Sequence, residues 1–199
     1  MYKVILLTGA PGTGKTTLRG ALAQRIDKLH TFDYGELLLS GKEAAGVKLR
    51  YEDLREKSEA VISPADVGTA DDRVVAEVSR LRSSNHVIID SHALTREAFG
   101  FRAIPYSLVH LDRLNLDAII VLRCDPDVLI LRVQGDRGGR RELTVELARE
   151  IQILQESLSL TYAVACACPL YVIDTTNSTT TDVLQTGIEL LVKVGIQVR

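Results

Sequence analysis

The sequence predicts a three-layer α/β fold, with a parallel five-stranded sheet covered by helices on both faces. Three observations carry that prediction. Four short runs are apolar at nearly every position, as strands buried on both faces require, and a fifth at residues 31–33 is more weakly marked. Segments with helical spacing fall between those runs. The first run ends in a glycine-rich turn that leads straight into a helical pattern.

Residues 4–7 read as the first strand, ending at Gly9, and Leu18, Ala21, Leu22 and Ile26 then recur at helical spacing. Residues 31–33 form a short second strand. Helices are expected over about 50–62 and 69–82, separated by Ser63-Pro64-Ala65-Asp66, a turn followed by a helix start. Residues 86–90 and 118–122 are the third and fourth strands, and Asp125-Pro126 supplies the cap and first-position proline of the next helix. Thr144 opens a long helix in which Leu147, Ile151, Leu154 and Leu158 share a face. Residues 170–173 are the fifth strand, followed by a last helix over about 182–194. Ligands of such sheets bind beyond the carboxyl ends of the strands. Gly9, Asp33, Asp90 and Asp125 lie at or just past such ends and are expected to converge.

A length of 199 residues favours one domain spanning 1–199, large enough to bury a sizeable core. With 24 basic and 26 acidic side chains, the net charge of −2 gives no global pull towards nucleic acid or an anionic membrane. Any anion site is therefore local. No stretch approaches the roughly 20 apolar residues that cross a bilayer. The N-terminus does not read as a secretory signal, because its short apolar run gives way to the glycine turn. Cys124, Cys166 and Cys168 are an odd number, and Cys166-Ala167-Cys168 lacks the second ligand pair of a zinc site. Packing thiols in a reducing cytoplasm are expected.

The turn Gly9-Ala10-Pro11-Gly12-Thr13-Gly14-Lys15-Thr16 satisfies the Walker A pattern in its strand-turn-helix context. Its glycines let successive amides point inward at phosphate oxygens, and the following helix adds its positive end. Lys15 then reaches the β- and γ-phosphates of ATP, while the Thr16 hydroxyl ligates Mg2+; Thr17 completes the set of loop residues. A dinucleotide loop needs glycine three residues after Gly14, where Thr17 stands. Asp90 ends its strand as a Walker B acid that holds Mg2+ through water, or else caps the turn after it. His92 either lines the same crevice or has a hydrogen-bonded structural role.

Phosphoryl transfer needs positive charge around the moving group, and arginine forks supply it. Arg132, Arg137, Arg140 and Arg141 cluster around Gly138-Gly139, either folding over a triphosphate or forming a solvated basic turn. Arg50, Arg55 and Arg96 lie near the other strand ends, where each can instead be a surface ion-pair partner.

These residues resemble the archaeal-type adenylate kinases, a branch of the nucleoside monophosphate kinases. The likeness rests on the phosphate loop and on Asp33-Tyr34-Gly35-Glu36-Leu37-Leu38. It continues through Tyr51-Glu52-Asp53-Leu54-Arg55, Ile89-Asp90-Ser91-His92-Ala93, Arg96, a loop from Gly100 to Pro105, and Asp125-Pro126 leading to Arg132. The resemblance implies transfer of the γ-phosphoryl of ATP to AMP with magnesium, an acceptor-binding insertion at about 34–66 and a short lid at about 134–143. It implies that Asp33, Tyr34 and Gly35 line the acceptor pocket together with His92. Arg55 would hold the acceptor phosphate, Arg96 would lie between acceptor and donor, and Arg132 with Arg137 would serve the donor side. Some members are trimers, so a homo-oligomer is compatible. The chain departs from the pattern in a shorter 100–105 loop and in a lid where Arg137, Arg140 and Arg141 compete for the same roles. The alternatives are a slow ATPase acting as a switch or assembly factor, and a kinase for another small phosphorylated metabolite.

Overall fold

The structure is a computed structural model that describes residues 2–97, 100–103, 106–136 and 142–198, with the side chains of Arg55 and Glu56 outside that description. β1 (Val4–Gly9) lies at the centre of a five-stranded parallel sheet. It pairs with β3 (His86–Asp90) on one side and β6 (Ala118–Arg123) on the other. β2 (Leu29–Asp33) and β7 (Leu170–Asp174) complete the order β2-β3-β1-β6-β7. The predicted sheet is therefore present, its strands differing from expectation by one or two residues at their ends.

Strand side chains alternate between faces, and both faces are covered. Val4 and Leu6 join Val87, Ile89, Ile119 and Val121 beneath α4 (Pro64–Leu81), α5 (Leu108–Leu114) and α7 (Val145–Ala165). Ile5 and Leu7 join Ile88, Ile120 and Leu122 beneath α1 (Lys15–Ala23) and α8 (Thr180–Lys193). This explains the unbroken apolar run of β1: every position faces a helix layer. Truncating Leu6 to Ala would cost about 2–5 kcal/mol through lost burial and the cavity left behind. A third cluster, with Ala10, Leu129, Val133, Ala148 and Ile151, seats the glycine turn on α6 (Pro126–Gly135) and α7.

Several elements differ from the sequence expectation. α2 (Tyr34–Ala44) follows β2 without a break, because Asp33 ends the strand and its carboxylate caps the helix through the Glu36 amide at 3.2 Å. α3 (Tyr51–Val61) matches its predicted span, but α4 begins at Pro64, not near 69. There Ser63 and Asp66 form a reciprocal capping box, Asp66 accepting from the Ser63 amide at 2.8 Å and Ser63 from the Asp66 amide at 3.2 Å. Beyond β3 the chain forms an antiparallel pair, β4 (Leu94–Glu97) and β5 (Gly100–Ala103), where only a loop was expected.

The expected apolar face of the long helix also needs correction. Of Leu147, Ile151, Leu154 and Leu158, only Ile151 is buried, and the most deeply set positions include Gln152, Gln155 and Ser159. Each of these residues makes a side-chain hydrogen bond, although the buried Gln155 Oε1 has no partner among the described residues. The Gln152 carbonyl accepts from the Cys124 amide at 2.9 Å, the Gln155 amide donates to Thr8 Oγ1 at 2.6 Å, and Ser159 donates to the Gln155 carbonyl at 2.7 Å. Hydrogen-bonded polar side chains can occupy a core face that periodicity assigns to leucine. They fasten the ends of β6 and β1, from which the site emerges.

Candidate active site

The glycine turn is held mainly by its own backbone. Gly9 has φ of 143° and lies against the Leu122 carbonyl, leaving no room for a Cβ. Gly14 is left-handed at φ 99° and starts α1 without any side-chain cap, so the first amides of that helix are offered to a ligand. Thr13 closes the turn, its hydroxyl donating to the Ala10 carbonyl at 2.8 Å. Lys15 is buried, 6% exposed. Its ammonium donates to the Gly9 carbonyl at 2.8 Å and the Ala10 carbonyl at 3.3 Å, and lies 3.1 Å from His92 Nδ1. That same ring nitrogen is 3.0 Å from the Gly9 carbonyl, so His92 is tied to the loop from the strand-end side. Thr16 and Thr17 are exposed at the start of the helix.

Asp33 and Asp90 are register partners at the carboxyl ends of adjacent strands. Arg19 joins them, with Nη1 3.1 Å from Asp33 Oδ2 and Nε 3.5 Å from Asp90 Oδ2. Burial pushes the Asp90 carboxyl up, Lys15 and Arg19 pull it back down, and Asp33 and Glu36 push it up again. Arg19 was not anticipated from sequence. The available signal was its spacing: one helical turn after Lys15 places it on the same face of α1.

The wall opposite the turn comes from α2, α3 and the β4–β5 pair. Asp33 Oδ1 accepts from the Tyr51 hydroxyl at 3.1 Å as well as capping α2. A Cβ at Gly35 would lie 2.7 Å from that hydroxyl. Tyr34 lines the cleft, but its hydroxyl turns away to Asp71 Oδ1 at 2.5 Å. Asp71 is buried on α4 and also accepts from the Tyr106 amide at 3.0 Å. Arg96 Nη1 donates to the Glu142 carbonyl at 3.0 Å, bridging β4 to the segment entering α7. Arg102, on β5 and missed by sequence reading, pairs with Glu97 at 2.5 Å and donates to the Ile62 carbonyl at 3.1 Å. Arg50 instead has an exposed side chain near Asp53 at 3.5 Å, the surface-partner alternative.

On the other flank, Arg132 grips Thr175 with both ends of its fork, at 2.9 Å to the hydroxyl and 2.7 Å to the carbonyl. The Thr175 hydroxyl lies 3.2 Å from the Thr13 carbonyl, so Arg132 is anchored beside the turn. The side chain of Arg55, and Arg137, Arg140 and Arg141 entirely, lie outside the described residues. Asp125 does not join this cleft: it is exposed, caps α6 through the Asp127 amide at 2.9 Å, and lines a separate shallow depression. Its strand, β6, lies on the far side of β1 from the Asp33–Asp90 pair, which separates it from the two other acids.

One cleft of about 750 Å³ brings together Ala10, Pro11, Gly12, Thr13, Gly14, Lys15, Thr16 and Thr17 with Asp33, Tyr34, Gly35, Tyr51, Asp90, His92, Arg96, Arg102 and Arg132. Among the described residues no helix is long and apolar enough to cross a membrane.

Comparison with known proteins agrees with this layout. A protein named adenylate kinase from Pyrococcus abyssi is 24% identical over 166 residues, covering 82% of this chain and 81% of that one. Another of that name, from Methanoculleus marisnigri, is 23% identical over 198 residues, covering 96% and 97%. Among solved structures, shikimate kinase from Acinetobacter baumannii superposes with a TM-score of 0.59 at 16% identity over 99% of this chain and 97% of that one, a likeness of fold. The resemblance to archaeal adenylate kinases read from the motifs is thus matched along most of the chain. The family model described as "AAA domain" matches residues 8–150, and the chain belongs to that family of P-loop proteins, within which it has a kinase-type α/β fold.

Proposed function

We propose that this chain is a phosphotransferase that moves the γ-phosphoryl group of ATP to a nucleoside monophosphate, with AMP the first candidate. The observation that carries this reading is the composition of the cleft at the phosphate loop. One wall is a phosphate loop with a buried lysine, and the other carries Tyr34, Tyr51, Arg96 and Arg102. The adenylate kinase name of the archaeal relatives supports the same acceptor.

In this reading residues 1–199 act as one catalytic unit. The amides from Gly12 to Thr16 take the donor phosphates, and Lys15 exchanges its contacts to the Gly9 and Ala10 carbonyls for phosphate oxygens. Both states give the ammonium oxygen partners, so loading the loop leaves no buried charge unpaired. Arg132 and Arg96 add positive charge from either side of the moving group, with Arg137 joining them from the lid at about 134–143. The insertion at about 34–66 receives the acceptor. Asp33, Tyr34 and Gly35 line its nucleoside end, His92 faces the transfer zone, and Arg55 holds its phosphate.

The donor set suits magnesium: Thr16 presents an exposed hydroxyl, and Asp90 a buried carboxylate stabilised by two cations. When bound there through Thr16 and Asp90, Mg2+ would neutralise phosphate charge. No side chain needs to be a strong base, because positioning and electrostatics provide most of the catalysis.

The test is a coupled assay of ADP formation from magnesium-ATP, run without acceptor and then with AMP, CMP, UMP, GMP and dTMP. ADP formation that depends on AMP, with matching loss of AMP, is expected. Slow ADP release indifferent to every acceptor would replace this reading with a switch ATPase or a kinase for another metabolite.

A further inference from the structure

Asp33 and Asp90 emerge from neighbouring strands at the same level, both largely buried, with side-chain exposures of 11% and 7%. Two anions so placed repel unless a cation lies between them. Arg19 contacts both, and its own side chain is only 15% exposed. The two oxygens of Asp33 divide their work. Oδ2 faces Arg19, while Oδ1 accepts from the Glu36 amide at the start of α2 and from the Tyr51 hydroxyl on α3.

We infer that Arg19 is a positioning residue for the acceptor pocket: it fixes the Asp33 carboxylate, and through it registers α2 and α3 against the helix that follows the phosphate loop. The inference rests on the reading of the α2–α3 wall as the acceptor site. Among the described residues, Arg19 reaches that wall through Asp33. Removing its charge leaves Asp33 facing Asp90 across one strand spacing, about 4.8 Å. Asp33 then turns away, and both the α2 cap and the Tyr51 contact weaken. An asparagine at 33 would relieve this. Its carbonyl can keep the Glu36 and Tyr51 hydrogen bonds, and its amide can donate to Asp90.

The experiment compares wild type, Arg19→Met, Arg19→Lys and the double variant Arg19→Met/Asp33→Asn. The first readout is amide hydrogen exchange in the ligand-free, metal-free protein, which requires no substrate. Arg19→Met should exchange at least about fivefold faster over the first turn of α2 and in α3, with α8 unchanged. Arg19→Lys, one point charge for two acids, should fall between. The double variant should recover most of the protection, although it carries one more substitution. Unchanged exchange in Arg19→Met, or a double variant less protected than the single one, would overturn the inference. If Arg19→Met does not fold, the Arg19→Lys comparison with and without Asp33→Asn decides in the same way. The second readout is AMP binding by calorimetry without ATP or metal. Affinity should drop about tenfold in Arg19→Met and by less in Arg19→Lys. Absence of AMP binding in wild type would instead sink the monophosphate reading, leaving the exchange result to judge Arg19.

Discussion

The phosphate loop is one run of eight residues held mainly by backbone atoms, whereas the wall opposite is assembled from residues between 33 and 102 and held mainly by side chains. On the loop side, the Ala10 carbonyl receives both the amide and the hydroxyl of Thr13, and the Gly9 carbonyl receives Lys15. On the opposite side, Asp33, Tyr51, Arg19, Tyr34 and Asp71 are joined through carboxylates, hydroxyls and a guanidinium. A backbone-built site tolerates most exchanges of side chain but not of its glycines or lysine. A site built from side chains can be retuned one residue at a time. In the proposed enzyme, changes to the loop should therefore abolish turnover, and changes opposite should alter acceptor use.

The largest effect should come from Lys15→Ala. It should lower kcat by about 10²–10³-fold, the range for removing one donor to transition-state charge. Steady-state rates with a matched thermal unfolding curve measure this, and near-normal turnover would remove Lys15 from the mechanism. Arg132→Ala should follow, at about 10- to 100-fold, because it removes a cation and also releases Thr175 from beside Thr13. If only thermal stability fell while kcat held, Arg132 would be a tether alone.

Gly35→Ala distinguishes the two walls more sharply. Its Cβ would sit 2.7 Å from the Tyr51 hydroxyl and push that ring aside. The acceptor KM should rise about tenfold, near 1.4 kcal/mol, while the ATP KM stays within about twofold. Equal change in both KM values would mean that the walls are mechanically one.

The smallest effect on turnover should come from Asp71→Asn, which acts behind the opposite wall. Asp71 holds the Tyr34 hydroxyl and the Tyr106 amide, so the variant should lose about 1–3 kcal/mol of stability. Burial raises its carboxyl above the ordinary 3.8, even though hydrogen bonds from Tyr34 and Tyr106 lower it. The native state therefore binds this proton more tightly than the unfolded chain does. That contribution is full below 3.8 and is lost as pH rises through the native value. The stability gap between wild type and variant should accordingly narrow as pH rises above 3.8, as denaturant titrations at each pH will show. A gap constant with pH would mean that the carboxyl does not titrate differently in the two states.

The same contrast explains what the sequence made legible. The loop motif is contiguous, and its strand-turn-helix setting follows from hydrophobic period, so its geometry could be read directly. The parallel sheet was readable for a related reason: residues 87–89 and 118–122 are apolar at every position, as strands of a doubly covered sheet require. Arg19 and Arg102 were not legible, since a single arginine on a helix or short strand looks like a solvated charge until its partners are placed. The burial of Gln152 and Gln155 was not legible for the converse reason. Their burial depends on the Cys124 amide and Thr8 hydroxyl, 28 and 147 residues away in the chain. Asp125 shared the strand-end position of Asp33 and Asp90, but strand order, which periodicity does not encode, put it on another flank.

The bond from Arg96 to the carbonyl of residue 142 has an evolutionary corollary. The atom that receives the guanidinium belongs to the main chain, so any amino acid at 142 supplies it equally well. Selection can preserve the link between the hairpin and the entrance to α7 while the side chain at 142 drifts. Arg96 and residue 142 need not covary, and a comparison of sequences alone would pass over the contact that ties the hairpin to the entrance of α7.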